Sequence, residues 1–239
     1  MKDQLTILCN FILFDDTRLN HLKSNVGMKA TAKVLSECEW IINYKTKFHL
    51  EEVKTLFRKY LDNYSFFNQL EDELFTWATS TLALLKKVKT PYVFYLIEDR
   101  MFHKTTREEF TEIMEEVVKN DIGYMCVGKL HKYSLSQHPP RVQQMGRGYK
   151  PYMDNDKHIY TYRSQDSPYG CLSNDAIYRK DVFEKSLERI IHTKDKMPRV
   201  LEYGGNWLTD GMPDMLCAVP KNEIIVSDDD PGYELGTIS

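Results

Sequence analysis

Residues 90–102 read TPYVFYLIEDRMF. The run 92–97 is apolar without alternation and rich in Val, Ile, Leu and aromatics, the pattern of a strand buried on both faces. Such strands belong to α/β sheets covered by helices on each side, where ligands bind beyond the carboxyl ends of the strands. The run stops at two acids, Glu98 and Asp99. Neighbours on a straight strand point to opposite sides, so a bend or a helping carbonyl is needed to aim both at one site. Paired carboxylates at a strand end suit a hard divalent ion holding a diphosphate. The competing reading is a solvated turn that opens the next helix.

The flanking chain alternates in the same way. Residues 5–14 form an apolar strand. Asp15-Asp16-Thr17 then offers caps for a helix through Leu19, Leu22 and Val26, with Gly27 interrupting it. EWIINY (39–44) reads as a second strand. In 49–61, Leu50, Val53, Leu56, Phe57, Tyr60 and Leu61 share one helical face. A short aromatic strand at 64–70 and a long helix at 71–88 follow, and Pro91 excludes further helix. Beyond Asp99, Thr105-x-x-Glu108 and Thr106-x-x-Glu109 are two capping boxes for a helix whose stripe is Phe110, Ile113, Met114, Val117 and Val118. DIGYMCVGKL (121–130) is a further strand. This alternation predicts βαβ units, an α/β class and a mostly parallel central sheet flanked by helices.

The texture changes at Lys132. Residues 132–168 are rich in Pro, Gly, Gln, Tyr and charge without a sustained period, as in a long functional or disordered loop. Regular structure resumes at 170–178, and a helix follows over 180–192. LEYGGNWLTDGMP (201–213) is dense in glycine, acid and aromatic, and the tail from Ser227 is polar. We expect a single domain over 1–239 with an irregular C-terminal third, divided into an alternating half (1–130) and a second half (131–239) that carries the long loop 132–168.

With 239 residues, 42% of them hydrophobic, the chain can bury a sizeable core, and a net charge of -3 argues against a nucleic-acid binder that relies on phosphate contacts. No apolar run reaches transmembrane length, while peripheral membrane contact stays open. The start, MKDQLTILCNFILF, lacks a small-residue cleavage site and reads as the first core strand. Five dispersed cysteines, none in a C-x-x-C pair, fit a reduced cytoplasmic protein with buried thiols. No G-x-G-x-x-G follows the first strand, and G-x-x-x-x-G-K-[ST], G-x-S-x-G and H-E-x-x-H are all absent.

The chain resembles glycosyltransferases of the GT-A fold, broadly the family-2-type inverting enzymes. Three features carry the likeness: the strand and helix order leading to a strand that ends in acids, the segment SPYGCLSNDAIYRKDVFEKSL (167–187), and the acidic cluster with Glu202 and Asp210. It covers most of residues 5–215 as pattern, and as motif it is specific around 92–99 and 176–183. The resemblance implies that residues 1–130 bind the nucleotide and that the second half faces the acceptor. It implies sugar transfer from a nucleotide-sugar donor to a glycan or other hydroxyl acceptor, with inversion by a carboxylate base.

The acid motif departs from the family's D-x-D pattern. It reads Glu98-Asp99-Arg100, with Arg100 in the slot of the second acid, where its guanidinium could serve the diphosphate instead. The Q-x-x-R-W-type motif of processive synthases is missing.

Carried onto this sequence, the resemblance places Mn2+ or Mg2+ on Glu98, Asp99 and His103, and the donor against Asp16, Tyr44, Glu98, Asp99 and Arg100. Glu202 and Asp210 are the base candidates. Asp175, Tyr203 and Trp207 would contact sugar, the aromatics by stacking. The structural alternatives are a surface histidine at 103, a turn cap at Asp175 and a core tryptophan at 207. Two other functions compete. A non-catalytic carbohydrate- or nucleotide-binding module is kept open by Arg100. A sugar nucleotidyltransferase would need a glycine-rich basic loop where this chain reads Phe14-Asp15-Asp16-Thr17-Arg18.

Overall fold

The computed structural model describes residues 1–13, 15–23, 28–69, 77–97, 100–102, 105–127, 153, 155–164, 176–193, 211–222 and 224–227. In chain order the elements are β1 (Leu5–Phe11), α1 (Asp16–Lys23), α2 (Met28–Leu35), β2 (Glu39–Tyr44), α3 (Leu50–Tyr60), β3 (Tyr64–Phe67), α4 (Trp77–Leu85), β4 (Tyr92–Leu96), β5 (Arg100–Phe102), α5 (Arg107–Lys119), β6 (Tyr124–Cys126), β7 (Ile159–Arg163), β8 (Ala176–Arg179), α6 (Lys180–Ile191), β9 (Leu216–Pro220) and β10 (Ile225–Ser227).

Eight strands form one sheet in the order β3-β2-β1-β4-β8-β6-β9-β7. The block β3-β2-β1-β4 is wholly parallel, with Asn10 beside Asn43 and Cys9 beside Leu96 in register. Beyond β4, β8 enters antiparallel, β6 pairs parallel with β9, and β7 closes the edge antiparallel. A separate antiparallel ladder joins β5 to β10 and sets Phe102 opposite Ile225.

Helices cover both faces, as the unbroken apolar strands require. On one face Ile7, Cys9, Phe11, Ile42, Phe94 and Leu96 pack beneath α1, α2, α3 and α5. On the other, Leu8, Ile41, Val93 and Tyr95 pack beneath α4 and α6. Under α6 a row of rings crosses three strands: Tyr95 lies 5.4 Å from Phe183, Phe183 stacks on Tyr178 at 4.4 Å, and Tyr178 meets Tyr124 at 5.3 Å. All five residues of β4 are buried, as its composition predicts.

Of the two capping boxes, the second is used: Thr106 Oγ1 accepts from the Glu109 N–H at 3.1 Å and starts α5. Arg107 then reaches back to the end of α2, donating to the Lys33 carbonyl at 2.9 Å, Ser36 Oγ at 2.8 Å and Glu37 Oε1 at 2.8 Å. Those groups end a helix whose last carbonyls lack intrahelical partners. Val118, assigned to the apolar stripe, is 37% exposed; the stripe is the narrower set Phe110, Ile113, Met114 and Val117.

Four elements differ from the sequence expectations. The helix expected after β1 is two helices, and Met28, Thr31, Ala32 and Leu35 form the buried face of the second. The expected loop 132–168 contains β7, whose IYTYR alternates inside and outside against β9; flanking polar residues hide so short a period-2 signal. After Asp99 the chain enters β5 before the next helix, since Phe102 is needed in the core, 6.1 Å from Phe94 and 5.3 Å from Phe110. The residues leading into the polar tail, Ile225–Ser227, are likewise a strand, β10.

Candidate functional site

β1, β2, β3 and β4 run parallel, so all four release the chain at one edge of the sheet. Beneath that edge, on the α4 side, lies a buried polar floor. Asn10 Nδ2 donates to Thr81 Oγ1 at 2.6 Å and to Tyr95 Oη at 3.3 Å, while Asn43 Nδ2 donates to Asn10 Oδ1 at 2.9 Å. Trp77 Nε1 donates to Tyr95 Oη at 2.8 Å, and Thr81 Oγ1 donates to the Trp77 carbonyl at 2.7 Å. Asn10 is 4% exposed and Asn43 fully buried. Amides in the middle of apolar strands are costly unless bonded. Two buried acceptors here have no donor, Asn43 Oδ1 and, just past β3, Gln69 Oε1.

The loop leaving β2 is fastened on every side. The Lys45 N–H donates to the Phe11 carbonyl at 3.0 Å and Thr46 Oγ1 to the Leu13 carbonyl at 3.1 Å, tying it to the β1 exit. Asn68 Nδ2 donates to the Tyr44 and Thr46 carbonyls at 2.7 and 3.0 Å, tying it to the β3 exit. Lys45 Nζ donates to Ser80 Oγ at 2.8 Å, tying it to α4. His49, at φ 45°, ends the loop in the left-handed region, which costs about 1–2 kcal/mol for a residue with a Cβ. A loop held this way is preorganised, so a ligand meeting it loses little to ordering.

Of the residues singled out from the sequence, two lie here with described side chains. Asp16 opens α1 at the β1 exit, 78% exposed, with Oδ1 3.2 Å from His49 Nε2. Tyr44 is fully buried: its ring is 6.1 Å from Phe66 and its hydroxyl donates to the Phe48 carbonyl. That phenol fastens the loop from below. Arg100 begins β5, the next strand in the chain after β4. Glu98, Asp99, His103, Asp175, Glu202, Tyr203, Trp207 and Asp210 lie outside the described residues, and among the described residues no group of three or more His, Cys, Asp or Glu is placed to hold a metal ion. Asn10, Asn43, Lys45, Ser80 and Thr81 were not singled out from the sequence. The signal available was an Asn inside each of the apolar runs LTILCNF and EWIINY.

Cys9 lies in β1 under this edge, and burial pushes its thiol well above the ordinary value of 9.0, so it stays protonated and is no nucleophile. At the opposite edge of the sheet, a groove of about 320 Å³ lies between α6 and residues 212–216. Most of its charges are paired: Arg179 donates to Asp181 at 2.7 Å and Asp121 at 2.8 Å, and Arg163 is 3.7 Å from Asp214. Among the described residues no helix is long and apolar enough to cross a membrane.

No family model and no curated protein sequence matches the chain. Solved structures do. Residues 1–349 of TarS from S. aureus superimpose with a TM-score of 0.59 at 12% sequence identity, covering 94% of this chain and 60% of that one. The same TarS segment in complex with UDP-GlcNAc also gives 0.59 at 12% identity, covering 99% of this chain and 61% of that one. Its complex with UDP gives 0.56 at 12% identity, covering 93% and 60%. TarS is a GT-A-like glycosyltransferase. The chain has the GT-A fold. It spans 60% to 61% of the length of the TarS 1–349 chain in these structures. At this identity the likeness is one of architecture. In the GT-A fold of this chain, the edge carrying Asn10, Asn43 and Lys45 is also the edge where β4 runs out toward Glu98 and Asp99.

Proposed function

We propose that this chain is a glycosyltransferase that binds a nucleotide-sugar across the exits of β1, β2 and β4 and moves the sugar to a hydroxyl acceptor. The observation that carries the reading is the joint arrangement at that edge. Three strand exits are cross-tied over a polar floor, and the fourth strand leads straight into paired carboxylates. The complexes of the similarly folded TarS with UDP-GlcNAc and UDP support the donor class.

In this proposal Lys45, at the β2 exit with Ser80, supplies positive charge near the donor. Glu98 and Asp99, with His103, would hold Mn2+ or Mg2+, for which carboxylate oxygens are the suitable donors. Such an ion neutralises charge on the departing diphosphate. Arg100 stands in the slot of a second acid, and its fixed fork of donors would share that task. Glu202 or Asp210 would take the proton of the acceptor hydroxyl as its oxygen attacks the anomeric carbon. The bond from that carbon to the diphosphate oxygen breaks on the far side, so configuration inverts. Asp175, Tyr203 and Trp207 would line the sugar and acceptor side.

The test is thermal unfolding with UDP, CDP, GDP and ADP and their sugar conjugates, with and without Mn2+. A ligand at 100 times its Kd stabilises the native state by about 2.7 kcal/mol, roughly 5–10 °C for a chain of this size. One nucleotide class should give that shift, and Asp99→Asn should abolish its metal dependence. No shift with any nucleotide would overturn the reading.

A further inference from the structure

β3 is the terminal strand of the sheet, and its flank lies between α3 on one face and the end of α4 on the other. α3 leads through residues 61–63 into β3, and α4 through 86–91 into β4. β3 and β4 run parallel, so both helices finish at the edge of the sheet opposite the candidate site.

This corner is basic. Residues 54–67 and 86–89 hold six basic side chains, Lys54, Arg58, Lys59, Lys86, Lys87 and Lys89, against one acid, Asp62, in a chain whose net charge is -3. Lys54 pairs with Glu51 of its own helix at 2.7 Å. The other five are exposed and, among the described residues, have no carboxylate partner. By contrast, Arg107, Lys157 and Arg179 on other faces are engaged by Glu37, Glu112 and Asp121. Unneutralised like charges repel one another, a cost that an anionic partner removes.

The lysines also sit on rings. Lys59 Nζ is 5.0 Å from the Tyr60 ring, Lys87 Nζ 5.4 Å from Phe67 and Lys54 Nζ 5.8 Å from Phe66. Phe66 and Phe67 are neighbours on β3 and point to opposite faces, so the flank carries ring and ammonium on both sides. All three rings are half-buried. A helix dipole favours a cation in the last turn, but it does not set an ammonium over a ring of a neighbouring strand.

We propose that the β3 flank docks the protein onto an anionic phospholipid surface. The lysine stems extend along the rings and lift their ammonium groups to the lipid phosphates, while the ring edges meet the headgroup layer. Nucleic acid fits less well, because single strands are held by bases stacked on open ring faces, and here those faces carry ammonium groups. A protein docked this way keeps the exits of β1, β2 and β4 uncovered, since they lie at the other edge of the sheet. The proposal does not depend on the nucleotide-sugar reading.

Cosedimentation of the full chain with vesicles tests it. Binding is expected to phosphatidylcholine vesicles carrying about 30% phosphatidylglycerol and not to pure phosphatidylcholine, and it should weaken between about 0.1 and 0.5 M salt as screening strengthens. A lysine near such a surface contributes about fivefold to partitioning, so Lys59→Gln/Lys87→Gln should bind about 25-fold less tightly, with unchanged Tm. Lys157→Gln/Lys185→Gln has the same net charge but alters the far half of the sheet, and it should bind as the wild type does. No pelleting with anionic vesicles, equal pelleting with pure phosphatidylcholine, or a flank variant that loses no more than the far one would overturn the proposal. Binding of a single-stranded oligonucleotide by a chain that leaves the vesicles untouched would assign the flank to nucleic acid and overturn it as well.

Discussion

Asn10→Ala removes the hub of the polar floor. Its Oδ1 is the acceptor for Asn43 Nδ2 at 2.9 Å, and Asn43 Oδ1 already lacks a donor, so the substitution leaves a fully buried amide with neither end bonded. Thr81 and Tyr95 lose less, because each keeps its bond to Trp77. An unpaired buried polar group costs about 1–3 kcal/mol, and a small cavity adds to it, giving about 2–4 kcal/mol. For a chain of this length that is a fall in Tm of roughly 5–15 °C.

Asn43→Val alone strands Asn10 Oδ1 and should cost about 1–3 kcal/mol. The double variant has neither orphan, so its cost should fall below the sum of the two by about 1–2 kcal/mol. Urea unfolding of the four proteins measures this, with equal m-values as the check that the unfolded states are comparable. Additive costs, within about 0.5 kcal/mol, would refute the claim that the two amides act as one unit.

Two further changes test the packing and the charge pairing. A Cβ at Gly123 would stand 2.3 Å from Met215 Sδ, so Gly123→Ala should destabilise by about 1–3 kcal/mol, and Met215→Ala should relieve part of that loss in denaturant unfolding. The Lys157 hydrogen bond, and then that of His158, both at 2.6 Å, hold the Glu112 carboxyl below its ordinary value of 4.5. A depressed acid stabilises above its unfolded pKa and loses that contribution as pH falls. Glu112→Gln should therefore lower Tm at pH 7, and the gap to the wild type should close below about pH 4.5; a gap that persists in acid would contradict the pairing.

Much of the frame was legible because its signals are local. The unbroken apolar run of β4, the Thr106 cap and stripe of α5, and the amphipathic face of α6 each declare themselves within a few residues. What escaped depends on partners distant in the chain. Asn10 and Asn43 are visible as polar letters in apolar strands, but their pairing is a matter of register between β1 and β2. β5 and β10 are three residues each and exist only through one another. Tyr44 stood at a strand end, where a ligand contact was reasonable. The alternation of β2 turns it instead into the core beneath α3, where its hydroxyl found Phe48. His49 carried no sequence signal, because its two carboxylates come from α1 and α3.

The central claim is that a nucleotide-sugar lies across the exits of β1, β2 and β4. Amide chemical-shift mapping of the labelled chain with UDP-GlcNAc and Mg2+ tests it most directly. The account predicts shifts at residues 10–13, 45–49, 80–81 and 97–100, all weakened in Asp99→Asn. Shifts confined to the groove of Arg179 and Lys185 at the opposite edge, or no shifts at all, would contradict it.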